Sequence, residues 1–331
     1  MSDTQESLTQ RVEPLKAGFH VIAARFIGDE PALVLADGAV VIGSRDTRFH
    51  PHGDAAILVS ALDDTIQLTG GDDGKIMATQ ADGSTTLLGD ENGRWIDAVA
   101  IGPSGAVAWS TGKKVVARDG KGGLKEWLAP TTAQGLAFAP KGYRLAISHY
   151  NGASLWFPNT EGKPEIREWK GSHLDVTFSP DGRFLVTSMQ ENTLHGWRLA
   201  DGKDMRMSGY PSKTRSFSWS HDGNWLATSG ADAAIIWPFK EKDGPMGKAP
   251  RECGVRHSKV STVAFHPRAL VVAIGYEDSC ILLCRLTDGA ELLVRPAKQE
   301  DGRVTSMGWC KTGNRMIFGT EEGVAGVLTL P

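Results

Sequence analysis

The chain has 331 residues, a net charge of -3 and a sequence pI near 6.3, with 39 glycines, 10 tryptophans and 4 cysteines. That charge balance gives no general field for nucleic acid or an anionic membrane, and no apolar run is long enough for a membrane-spanning helix. The first residues, Met1–Ser7, are polar and acidic without an apolar core, so they read as a flexible tail and not as a secretory signal.

In chain order, short apolar runs alternate with turn residues. Each unit begins with a strand whose last apolar residue precedes a turn. These anchors are Phe26, Ala61, Ile101, Phe138, Phe178, Trp219, Phe265 and Trp309, separated by 35, 40, 37, 40, 41, 46 and 44 residues. Turns follow at Gly28–Pro31, Gly102–Gly105, Ala139–Gly142, Pro180–Gly182 and Lys311–Gly313. Second strands are expected at 32–35, 145–148, 226–229, 271–275 and 316–320. Third strands are expected at 40–42, 115–117, 154–157, 281–284 and 324–328. Self-similarity at this period with four strands per unit is the pattern of propeller blades.

Alternation along the first strands places Val99, Leu136, Val176, Phe217, Val263 and Met307 on one face. The other face receives Ala98, Gly135, Asp175, Ser216, Thr262 and Ser306, where small side chains suit crowding near an axis. The last unit has only three strands of its own. Its fourth is expected from residues 8–15 at the start, which would close the ring and protect the edge.

These residues resemble the WD40 repeat β-propeller family over nearly the whole chain, most closely in the fifth and sixth units. The resemblance implies an all-β fold: a β-propeller of four-stranded blades in a single domain, 1–331, closed by an N-terminal strand. Eight anchors give eight blades, with a seven-blade ring carrying one irregular segment as the alternative. The family's blade tryptophan matches Trp156, Trp197 and Trp237, its turn aspartate Asp73, Asp232 and Asp278, and its histidine His257, eight residues before Phe265. His20 and His173 match less well, and the His–Ser/Thr–Asp–Trp network is incomplete in every unit.

Motifs that carry chemistry are scarce. No phosphate-binding loop, nucleophile elbow or H-E-x-x-H string occurs. Gly70–Gly74 reads as a hairpin turn between strands, and His50 and His52 as part of a solvated loop. Cys253, His257 and Cys280 have donor types that suit zinc, but nothing in their spacing pairs them, and packing accounts for them. The acidic pairs Glu300–Asp301 and Glu321–Glu322 fall in turns. Lys125-Glu-Trp127 and Arg167-Glu-Trp169 recur on outer strands, where the tryptophans cover blade edges.

What remains is a surface. The family resemblance implies a binding rim formed by the loops that enter first strands and join second to third strands. Those loops carry Trp95, Tyr150, Tyr210, Arg215, Arg256, Tyr276 and Arg303, and aromatic and guanidinium groups are enriched at binding hot spots. The expectation is a non-catalytic cytoplasmic scaffold for a protein or peptide partner, without cofactor or metal, and without nucleic-acid or membrane partners. The alternative is a propeller enzyme or metal-dependent module with its site in the central channel, for which Asp175 is the one strong candidate.

Overall fold

The computed structural model describes residues 7–43 and 47–331, and the tail expected over 1–7 lies outside the described residues except for Ser7. Nearly every element is a short antiparallel strand, as the alternating runs and glycine turns require. The chain divides into two compact units, described in turn.

One unit contains residues 50–215 and 238–249. Its first sheet orders Ile57–Leu62, Ile66–Gly71, Lys75–Gln80 and Thr85–Asp90, and its second Ala98–Ile101, Val107–Thr111, Lys114–Arg118 and Leu124–Leu128. Leu68, Ile76, Ile96, Val107, Trp109 and Val116 form one buried cluster there. The third sheet has six strands: Gly135–Phe138, Leu145–Trp156, Glu165–Phe178, Phe184–Met189, Leu194–Arg198 and Asp204–Met207.

The other unit contains the described residues of 7–49, with 216–237 and 250–331. It holds four sheets of four strands. They start at Val21–Ile27, Phe217–Trp219, Val260–Phe265 and Val304–Trp309, the inner strand of each. The last of them is completed by Val12–Lys16, which pairs antiparallel with Val324–Thr329 from Val12 opposite Leu328 to Lys16 opposite Val324. The expected closing strand is therefore formed, displaced toward residue 16 because Leu8–Arg11 is a turn of 3₁₀ helix.

The expected eight separate blades are not formed: the described residues make seven sheets. The physical reason lies in residues 145–178. Residues 145–148 and 154–157 were expected as separate strands, but Leu145–Trp156 forms one element of 12 residues with an irregularity at Tyr150–Gly152. Glu165–Phe178 then runs for 14 residues. Its first half pairs with Leu145–Trp156 and its second half with Phe184–Met189, so the fourth and fifth repeats share one sheet. No proline interrupts that run, and its one glycine, Gly171, adopts φ 129° in the irregular stretch between Glu168, opposite Gly152, and Ser172, opposite Tyr150, within one continuous strand.

Candidate interaction surface

Polar side chains buried at the strand ends fix the loops. His52, which the sequence suggested was solvated, is buried with its Nδ1 3.0 Å from Asp73 Oδ1 and its Nε2 2.9 Å from Thr69 Oγ1. A carboxylate only accepts, so Nδ1 carries the proton. Asp73 also accepts the backbone N–H of Lys75 at 2.9 Å, which ties the hairpin to the His52 loop. This repeat thus unites histidine, threonine and aspartate and lacks only a tryptophan. The signal was present: His52 stands nine residues before Ala61, close to the spacing of His257 from Phe265.

His257 itself is exposed. Its neighbour Arg256 takes the place against Asp278, with Nη2 2.9 Å from Oδ2, so the blade role expected of His257 is not filled by it. Asp278 also accepts the Cys280 N–H, while Asp232 is exposed. Trp156, Trp197 and Trp237 are all buried. Trp127 packs against Trp156 with ring centroids 6.3 Å apart, and Trp169 stacks on His195 at 3.9 Å, so both edge tryptophans cover core groups. Cys253, Cys280 and Cys284 lie in one apolar cluster as free thiols. Among the described residues, no group of three or more His, Cys, Asp or Glu is placed to hold a metal ion.

A second histidine group surrounds Trp169. His173 Nε2 donates to the Trp169 carbonyl at 3.0 Å, and its Nδ1 lies 2.7 Å from Thr187 Oγ1. His149 Nδ1 donates to the Tyr150 carbonyl, and its Nε2 meets Ser154 Oγ at 2.8 Å. Burial lowers the pKa of both rings, and that of His195 is pushed down to about 3 by burial, with His173 and Arg206 adding to it. A neutral His195 makes no ion pair with Asp204, although Asp204 Oδ2 lies 3.6 Å away.

The rim candidates divide by burial. Trp95 is 67% exposed and Tyr150 52% exposed, and Arg215 is exposed. Tyr210 is buried. In the other unit, Tyr276 is fully buried and its hydroxyl donates to the Gly254 carbonyl, while burial raises its phenol pKa. A phenol in that position cannot present its ring to a partner, so Tyr276 is a structural residue. Gly254, at φ 65°, leaves the space into which that hydroxyl reaches. The guanidinium of Arg256 lies over the Tyr276 ring at 5.1 Å, and Arg303 pairs with Glu321 at 3.0 Å. Asp175 remains accessible to solvent, but the protein surrounding it raises its carboxyl pKa.

The Trp95 loop is held at both ends. Glu91 is buried, accepts Trp109 Nε1 at 2.8 Å and binds Lys114 Nζ at 3.0 Å. Ile96 is buried in the core and its N–H reaches the Gly71 carbonyl. Between them the chain turns at Asn92 and Gly93, both with positive φ, so Arg94 and Trp95 point outward. Gly74 permits this close approach: a Cβ there would stand 2.6 Å from the Gly93 nitrogen. Trp95 lines a cavity of about 510 Å³ with Leu128, and Tyr150 lines another of about 610 Å³ with Ile166 and Trp169.

Two adjoining segments, residues 165–198 and 205–237, match the WD40 family model, the WD domain, G-beta repeat. Over 115 residues, or 34% of its length, the chain is 29% identical to WD repeat-containing protein 1-B of Xenopus laevis. It is 39% identical over 98 residues, 28% of its length, to a chromatin assembly factor 1 component of Gallus gallus. The matches span only 18% and 17% of those relatives. The crystal structure of the computationally designed Ika8 protein superposes with a TM-score of 0.78 over 96% of this chain and 98% of that one, at 16% identity, a likeness of fold alone. The chain thus carries two WD40-type repeats, over residues 165–237, within an all-β fold of the β-propeller kind.

Proposed function

We propose that this protein is a non-catalytic interaction scaffold that presents loop side chains to a protein or peptide partner. The observation that supports this most directly is the pair of exposed aromatic rings, Trp95 and Tyr150, each lining a cavity. An indole or phenol left in water on a braced backbone is the kind of group that anchors interfaces. The name of the Gallus gallus relative, part of a chromatin assembly factor, supports an assembling role as well. Arg215 belongs to the same proposed set, with Arg256 and Arg303 contributing only what their ion pairs leave accessible. The reading includes no covalent reaction, no cofactor, and neither nucleic acid nor membrane as partner. No helix of the described residues is long and apolar enough to cross a membrane. Four buried, unbonded cysteines fit a reducing compartment, and we place the protein in the cytoplasm.

The test is affinity purification of the tagged chain, with the recovered complex then measured for Trp95→Ala, Tyr150→Ala and Arg215→Ala. Each variant is expected to weaken the complex while melting like the parent protein. If all three bind as the parent does, while Trp127→Ala or Trp169→Ala abolishes binding, the partner uses the outer edge and the rim reading fails.

A further inference from the structure

The two most exposed large apolar side chains among the described residues are Leu128, at 73%, and Trp95, at 67%. They come from different strand ends, yet both line the same 510 Å³ cavity. Scattered exposed apolar residues need no explanation, but two that converge on one recess are a surface feature.

The backbone around the recess is braced by hydrogen bonds. Asp97 accepts the Gly112 N–H at 2.6 Å, and the Ala129 N–H reaches the Lys113 carbonyl at 2.8 Å. Those bonds fix the Lys113 turn against both the Trp95 loop and the segment after Leu128. A partner would find the site already assembled and lose little ordering entropy there.

The charges around the recess are unequal in their commitments. Lys114 is held between Glu91 at 3.0 Å and Glu126 at 2.9 Å, so its charge is already met within the protein. Arg94 and Lys113 are exposed at the mouth and form no ion pair with a described residue. The one carboxylate in the lining, Asp97, is exposed and accepts the Gly112 N–H through one oxygen, so it keeps its charge and offsets part of the positive charge at the mouth. The two uncommitted cations, Arg94 and Lys113, outnumber that carboxylate beside the exposed apolar pair Trp95 and Leu128.

We infer that this recess binds an acidic peptide segment, one large apolar side chain of which seats between Trp95 and Leu128 while flanking carboxylates meet Arg94 and Lys113. The inference rests on the scaffold reading and names the partner chemistry for part of that surface. The apolar contact supplies affinity, and the cations supply orientation and salt dependence. A basic segment would bring like charges to the mouth, which discriminates against it.

The test uses random peptides displayed on phage and panned against the intact chain. Enrichment of sequences with Asp or Glu flanking a single Leu, Phe, Ile or Trp is expected. A synthetic enriched peptide should lose about tenfold or more in affinity with Trp95→Ala and with the double variant R94E/K113E. Its affinity should also fall as salt rises, and every variant should melt like the parent. No enrichment, enrichment of basic sequences, or an enriched peptide indifferent to both variants would overturn the inference. So would a Trp95-dependent dimer in sedimentation, which would assign the recess to a second copy of the chain. A cellular partner lost with Arg215→Ala but retained by Trp95→Ala would overturn it too, while leaving the scaffold reading intact.

Discussion

Individual side chains in this protein do different work from what their types suggest. A histidine in a Pro-His-Gly sequence reads as a loop residue, yet His52 is buried against Thr69 and Asp73. Replacing Asp73 with Ala leaves the His52 Nδ1–H without its acceptor and frees the Lys75 N–H. The expected cost is about 1–3 kcal/mol, measured by urea unfolding; an unchanged midpoint would mean that water replaces the carboxylate. Trp197 is buried among Val176, Phe178 and Leu185, and Trp197→Ala should cost about 3–5 kcal/mol as a core cavity. The same urea measurement checks it, and a loss below about 1 kcal/mol would place the ring outside the core. The buried histidines carry a pH signature. Their folded pKa values lie below the ordinary value near 6.5, so the stability they contribute is complete above that pH. It is lost as pH falls below about 6.5, because only the unfolded chain takes up the proton there, at about 1.4 kcal/mol per group per pH unit. Asp175, with a carboxyl pKa raised by desolvation, acts in the opposite sense, its destabilising effect being relieved as pH falls through the folded value. His195→Phe keeps the ring against Trp169 and removes the group whose pKa is driven down to about 3. Unfolding at pH 7, 6 and 5 should show a shallower acid loss in this variant, and equal slopes would refute the assignment.

At the scale of elements, one strand matters more than its length suggests. Val12–Lys16 covers the outer edge of Val324–Thr329, and Val12 and Leu15 pack on the buried clusters beside it. Removing residues 1–16 uncovers that edge and those apolar contacts, with an expected loss on the order of 3 kcal/mol and a greater tendency to aggregate. Thermal melting of the truncated chain checks this; an unchanged melting curve would show that the strand is dispensable. The shared sheet of the fourth and fifth repeats makes a different point. Period counting locates both repeats, and the WD40-model match to the fifth, residues 165–198, begins at Glu165, in the strand the two share. Whether a strand stops between two repeats or runs on depends on backbone pairing along its full length. Residues 165–178 contain no proline and one glycine, Gly171, so the strongest punctuators of the other repeats are scarce there.

For the molecule as a whole, we propose a single cooperative domain over residues 1–331, for which one calorimetric transition is expected; two resolved transitions would argue for independent units. The repeat period, the all-β class and the closing strand were all legible in the sequence, because each follows from short-range patterning: alternation, turn chemistry, and a missing fourth strand. The exposure of Trp95 agrees with its loop position, whereas Tyr150, expected in a loop, is exposed within the strand Leu145–Trp156. The burial of Tyr276 was not anticipated, because a tyrosine at a strand end can turn either way. Only the space beneath Gly254 and the guanidinium of Arg256 fix it inward. The same holds for His52 and His257, where the burial of one and exposure of the other depend on which neighbour reaches the aspartate first. Periodicity and composition are properties of the chain read locally, so the sequence by itself determined the class of fold and the sites of its turns. Burial and pairing depend on what packs against each residue across long separations, so only the tertiary structure decided which sheets merged. It also decided which rings are hidden, and that Trp95 and Leu128 meet at one recess.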